Sequence, residues 1–176
     1  MMVATPPDEG TTTMKNRAAN AAAALAAMRM AAHVADHWLQ TGHQAMHKAD
    51  SGLDGHRAMA GHVASYAGAQ AVALVVANEL LDMGLKPSRI AAAVAFSGAT
   101  HWFIDRRWPV RKLAEALRKT GCKRGGRCAD PEHAPDGSEC DGGFHGLGGP
   151  LGGAYILDQS AHHLMEAVAA VVAARD

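Results

Sequence analysis

Seven histidine and aspartate residues punctuate four alanine-rich stretches in which apolar residues recur every three or four positions: His33 with Asp36, His62, His101 with Asp105, and Asp158 with His162. Residues four apart on a helix share a face, so His101 and Asp105 can aim at one point, as can Asp158 and His162. Both pairs continue apolar stripes, Ile90, Val94, Ser97, His101 in one stretch and Leu151, Tyr155, Asp158, His162, Met165 in the other. An inward-facing aspartate costs several kcal/mol, roughly, unless it is hydrogen-bonded, paired or bound to a cation. The chain must therefore fold so that these groups meet partners. Imidazoles and carboxylates drawn from separate helices are what a polynuclear metal site inside a bundle requires.

Abundant alanine and only 5% aromatic residues favour closely packed helices over sheets, and 176 residues suit one domain with a sizeable core. The expected fold is all-α: a bundle of four main helices, with a long Cys/Gly-rich insert before the last. Residues 1–15 read as a disordered tail and 16–176 as a single helical domain. The tail lacks the basic start and apolar run of a secretory signal. Acidic and basic residues balance at 17 each, so a preference for nucleic acid or an anionic surface has to be local. Residues 63–81 are nearly uncharged and about long enough to cross a bilayer. They also contain Ser65, Tyr66, Gln70, Asn78 and Glu79, and their bulk is alanine and glycine, which favours burial in a soluble bundle. A cytoplasmic location follows, with the inner membrane as the alternative.

The first helix is expected from Asn16 to about Gln40, with a short piece over 44–49. Asp54 or Ser51 is available to cap a long second helix that stops at Gly84. Pro87 suits the first turn of a third helix running to Arg107, where Pro109 kinks or restarts the chain. An amphipathic segment follows over 110–119, and the last helix spans 154–174. Between them, residues 121–153 form a long irregular insert. Such a length calls for an explanation, and Cys122, Cys128, His133 and Cys140 offer one as a structural zinc clasp; free thiols are the alternative. Three cysteines within 122–140 are a poor disulfide framework and fit a reducing compartment better.

For each histidine–aspartate pair the bland reading is a buried histidine hydrogen-bonded one turn along, and its recurrence on two helices is what favours metal. A basic run over 106–127 includes Arg106, Arg107, Arg111 and Lys112, with Glu115 as its only acid. It could steer a phosphate-bearing substrate or nucleic acid, or be a solvated face balanced by the acidic insert.

The order of these steps resembles a bacterial family of domains of unknown function. Its pattern appears here as HVADHWLQT with His33, Asp36 and Gln40, AGHVA with His62, HWFID with His101 and Asp105, and LDQSAH with Asp158, Gln159 and His162. The match covers most of the chain outside the tail and insert. Two departures stand out: His33 lies three rather than four residues before its aspartate, and members of that family are more hydrophobic and membrane-embedded. More remotely, the histidine-x-x-x-aspartate steps are similar to those of the zinc-dependent phospholipase C and single-strand nuclease superfamily, which hydrolyses phosphoesters.

The expectation is a metal-dependent hydrolase acting on phosphoesters, with a divalent ion such as zinc held by His33, Asp36, His62, His101, Asp105, Asp158 and His162. Asp36 would be a ligand or the carboxylate that orients the attacking water. Gln40 and Gln159 would hydrogen-bond the ligands, and Lys48, Arg106 and Arg107 would hold the phosphate. The alternatives are a DNA-binding regulator using the basic run, although no helix-turn-helix signature is evident, and a small membrane protein.

Overall fold

The computed structural model describes residues 9–117 and 153–175. Every regular element among them is helical: α1 (Glu9–Val34), a π-helical turn (Ala35–Leu39), α2 (Gly42–His47), α3 (Leu53–Leu80), α4 (Pro87–Ile104), α5 (Trp108–Ala116) and α6 (Gly153–Ala173). The expected all-α class holds. Two compact units are described separately, Met1–Trp102 with Leu164–Asp176, and Phe103–His163. The cysteine clasp of Cys122, Cys128, His133 and Cys140, and the basic residues beyond Leu117, lie outside the described residues.

In the first unit, one apolar cluster gathers Ala24 and Met28 of α1, Leu74 of α3, Met83 and Leu85 of the following turn, Ile90 and Ala93 of α4, and Ala169, Ala170 and Ala173 of α6. Alanine dominates it because a methyl group lets helix backbones approach closely and loses no side-chain freedom on burial. A second cluster joins Ala32 and Ala35 to the ring of Tyr66. The polar groups discussed below enter the interior beside this ring.

The helix ends show where local chemistry overrode the sequence reading. Helix α1 begins at Glu9, ahead of Asn16, so the tail expected through residue 15 is already helical from Glu9. Helix α3 is capped by Gly52, at φ +93°, with no side-chain cap; neither Ser51 nor Asp54 serves. It ends at Leu80, four residues before the expected stop at Gly84, which is left-handed at φ +65°, as is Asp82 at φ +47°. The Asn78 side chain accepts a 2.7 Å hydrogen bond from the Leu85 amide, and Asn20 donates to the Met83 carbonyl at 2.7 Å. Pro87 is the first residue of α4, as its fixed φ and missing donor favour. Helix α4 stops at Ile104 rather than Arg107, which sits at φ +62°.

Helix α2 carries a capping box: the Thr41 hydroxyl accepts from the Gln44 amide, and the Gln44 side chain accepts from the Thr41 amide. Its return to α3 depends on Gly55, where a Cβ would meet the Asp50 carbonyl oxygen at 2.3 Å. That neighbour is backbone and cannot swing aside. Gly55→Ala should therefore destabilise the protein by about 1–3 kcal/mol through overpacking. Gly68→Ala, in the same helix with nothing within 4 Å of the added Cβ, should stabilise it by about 0.5–1 kcal/mol through helix propensity. Urea unfolding midpoints moving in opposite directions check the pair.

Candidate metal centre

Helix α1 passes into the π-helical turn at Ala35, closed by the Gln40 amide donating to the Ala35 carbonyl at 2.9 Å. That turn holds one more residue than an α-turn. It sets Asp36 half-buried toward α3 and leaves His33 and His37 exposed, their rings stacked 5.8 Å apart. His33 thus lies outside the group of donors that it was expected to join. Its three-residue spacing from Asp36 and the widened turn put the two on different faces.

From α3 and α4, His62 and His101 enter the same interior point, with 0% and 1% of their surface exposed. Their Nε2 atoms are 2.8 Å apart. Asp36 Oδ1 is 3.3 Å from His62 Nε2 and 3.7 Å from His101 Nε2. These edges straddle the roughly 3.3 Å edge of a tetrahedron with metal–ligand bonds of about 2.0–2.1 Å. One donor from each of the three residues is thus placed to hold a metal ion. Lys48, the C-cap of α2, adds Nζ 3.4 Å from His62 Nε2. An ammonium only donates, so in that contact His62 Nε2 is the acceptor.

The His101 ring stacks on Tyr66, with centroids 3.7 Å apart and planes inclined by 23°. The Tyr66 hydroxyl donates to Glu166 Oε1 at 2.9 Å, and Arg29 Nε donates to Glu166 Oε2. Burial, and after it the Glu166 carboxylate, pushes the Tyr66 phenol far above its ordinary range, against a smaller opposing effect of a Ser97 hydrogen bond. Tyr66 is therefore a permanent donor that holds the His101 ring in place. The sequence reading did not assign these roles to Tyr66, Glu166 and Arg29. The signal was present on α3, where His62, Tyr66 and Gln70 follow one another every fourth residue and are all buried.

In the second unit, His162 Nε2 lies 3.6 Å from Asp105 Oδ1, and its Nδ1 lies 3.4 Å from Asp158 Oδ2. Nδ1 also donates to the Asp158 carbonyl at 2.9 Å. That bond makes Nδ1 the donor and leaves Nε2 facing Asp105. Burial opposes protonation of His162, but the Asp158 hydrogen bond and the charges of Asp105 and Asp158 outweigh it and raise its pKa above 6.5. Asp105 and His162 are buried, and Asp158 and Gln159 half-buried. Arg106 is half-buried and Arg107 exposed in this unit, whereas Lys48 belongs to the first. Gln40, in the first unit, is half-buried, and its Nε2 has no hydrogen-bond partner among the described residues.

Comparison with protein-family models, with curated proteins and with solved structures finds no match to this chain. The centre is therefore read from its own chemistry.

Because Tyr66 stays protonated, titrating the folded protein to about pH 11, one unit above a free tyrosine, should raise no tyrosinate absorbance from it. Tyr66→Phe should leave that absorbance unchanged. It should still cost about 1–3 kcal/mol in urea unfolding, because a buried carboxylate oxygen loses its phenol donor.

Proposed function

We propose that this chain is a metal-dependent hydrolase that acts on phosphoesters. The observation that carries the reading is the convergence of Asp36 Oδ1, His62 Nε2 and His101 Nε2 from three elements on one interior point. Two imidazoles and one carboxylate are a donor set that suits zinc, and three protein ligands leave one position for water or substrate. Bound zinc would bring the pKa of its water to about 7 and polarise the phosphoryl oxygen. In this reading His62 and His101 bind the ion, Tyr66 orients His101 by stacking, and Asp36 is the third ligand or holds the attacking water. Asp105, Asp158 and His162, expected as further ligands, lie together in the second unit. The four-helix arrangement and a cytoplasmic location belong to the same proposal.

A second reading has an observation of its own. Helix α3 is, by length and composition, able to cross a membrane, and only 28% of its most apolar window is buried. Val72, Val76, Leu80 and Leu81 are exposed, and with Met30 and Val34 of α1 they line an apolar groove of about 720 Å³. Exposed apolar patches of this kind mark protein or membrane contacts. Fractionation of the untagged chain decides: recovery in the alkaline-washed membrane pellet supports attachment, and recovery in the supernatant removes it.

The hydrolase reading predicts that protein purified without a histidine tag retains about one equivalent of a divalent metal or more. His62→Ala combined with His101→Ala should lose most of it, together with hydrolysis of bis(4-nitrophenyl) phosphate. Metal below about half an equivalent and unchanged by the double substitution ends the reading.

A further inference from the structure

Lys48 brings a positive charge to the donors assigned above to a cation, its Nζ 3.4 Å from His62 Nε2. The segment 41–50 is a strap laid on α3. At its start the Thr41–Gln44 capping box fixes the short helix. At its end the Asp50 amide donates to the His47 carbonyl at 2.9 Å, and His47 Nδ1 lies 2.8 Å from Asp50 Oδ2. Two glycines of α3 let the strap come close. A Cβ on Gly55 would meet the Asp50 carbonyl oxygen at 2.3 Å, and one on Gly61 would meet Gln44 Nε2 at 2.8 Å. Lys48 lies between these two contact points in sequence, and its Nζ reaches to 3.4 Å from His62 Nε2.

An ammonium and a divalent ion cannot share that lone pair. A metal on Asp36, His62 and His101 would turn the ammonium aside, yet the strap would keep its tether beside the centre. Two positive charges a few ångströms apart in a partly buried place repel strongly. An oxyanion set between them would neutralise that repulsion, with one oxygen on the metal and another accepting from Nζ. Lysine suits this role because its stem is flexible and its head is a point charge with three donors. From this geometry we infer that metal and oxyanion bind cooperatively at this centre through Lys48, the oxyanion being a phosphoryl or phosphonate group. The inference rests on the metal reading and adds the linkage between its two ligands, which is reciprocal by thermodynamic necessity.

The test titrates cobalt(II) into chelator-treated full-length protein, with and without methylphosphonate, and follows visible absorption. In the wild type, methylphosphonate should tighten cobalt binding by about tenfold, within the usual range of coupling between sites. In Lys48→Met, bare cobalt should bind more tightly than in the wild type, and the methylphosphonate effect should fall below about threefold. Lys48→Arg, which keeps the charge, should retain a larger effect than Lys48→Met. Cobalt bound by both wild type and Lys48→Met with equal methylphosphonate effects overturns the Lys48 linkage and leaves the metal centre standing. No saturable cobalt binding by the wild type overturns the metal reading itself, and the linkage with it. If Lys48→Met does not fold by circular dichroism, the wild type alone decides, since cobalt affinity indifferent to methylphosphonate rejects the linkage.

Discussion

The contact on which the first unit depends is between two buried imidazole nitrogens 2.8 Å apart. Histidines this deep lose their hydration and have to recover it from neighbours. Asp36 stands 3.3 and 3.7 Å from the two nitrogens, and Lys48 stands 3.4 Å from one of them. Behind His101 the Tyr66 ring stacks, and behind Tyr66 come Glu166 and Arg29. Lysine, imidazoles, aspartate, phenol, carboxylate and guanidinium thus form one polar layer through an alanine-rich core. In a low local dielectric such a layer is strong when its members meet and costly when they do not. Every helix that contributes to it is held in register by the rest.

Backbone details matter because the layer tolerates little error. The π-helical turn aims Asp36, and an unbroken α-helix would carry its carboxylate to a different angle. Gly55 and Gly61 admit the strap that carries Lys48. Alanine at the helix contacts provides close approach but little apolar area per residue. The polar layer therefore contributes more to the specificity of packing than it would in a leucine-rich bundle.

Much of this was legible in the sequence. The three-and-four spacing gave the helices, and His101, Asp105 and His162 on apolar stripes are indeed buried. What escaped depends on three-dimensional encounters. His33 already departs from the pattern by lying three rather than four residues before Asp36, but the widened turn that separates the two is not visible in the sequence. Glu166 reads as an ordinary charge on a helix until the Tyr66 hydroxyl, one hundred residues away in the chain, donates to it. Gly52 caps α3 although Ser51 and Asp54 have better capping side chains, because the turn requires φ +93° and only glycine takes that without strain. Local propensity decided each element, and the backbone geometry at its end decided where its functional side chain points.

The same layer bears on whether it braces the helices or binds a cation. Bracing alone is a weak reason to bury so many polar groups, because a buried ionic cluster can often be replaced by apolar residues of similar volume with no loss of stability. Helix α3 presents His62, Tyr66 and Gln70 on one buried face, and Gln70 Oε1 has no hydrogen-bond partner among the described residues. At the other end of the layer, nitrogen and oxygen donors from three elements lie within 4.8 Å of one another. Atoms that all carry lone pairs repel when crowded together, and what relieves them is a proton, an ammonium or a metal ion placed among them. Lys48 supplies an ammonium 3.4 Å from His62 Nε2, and the donor chemistry of two imidazoles and a carboxylate is suited to a metal ion.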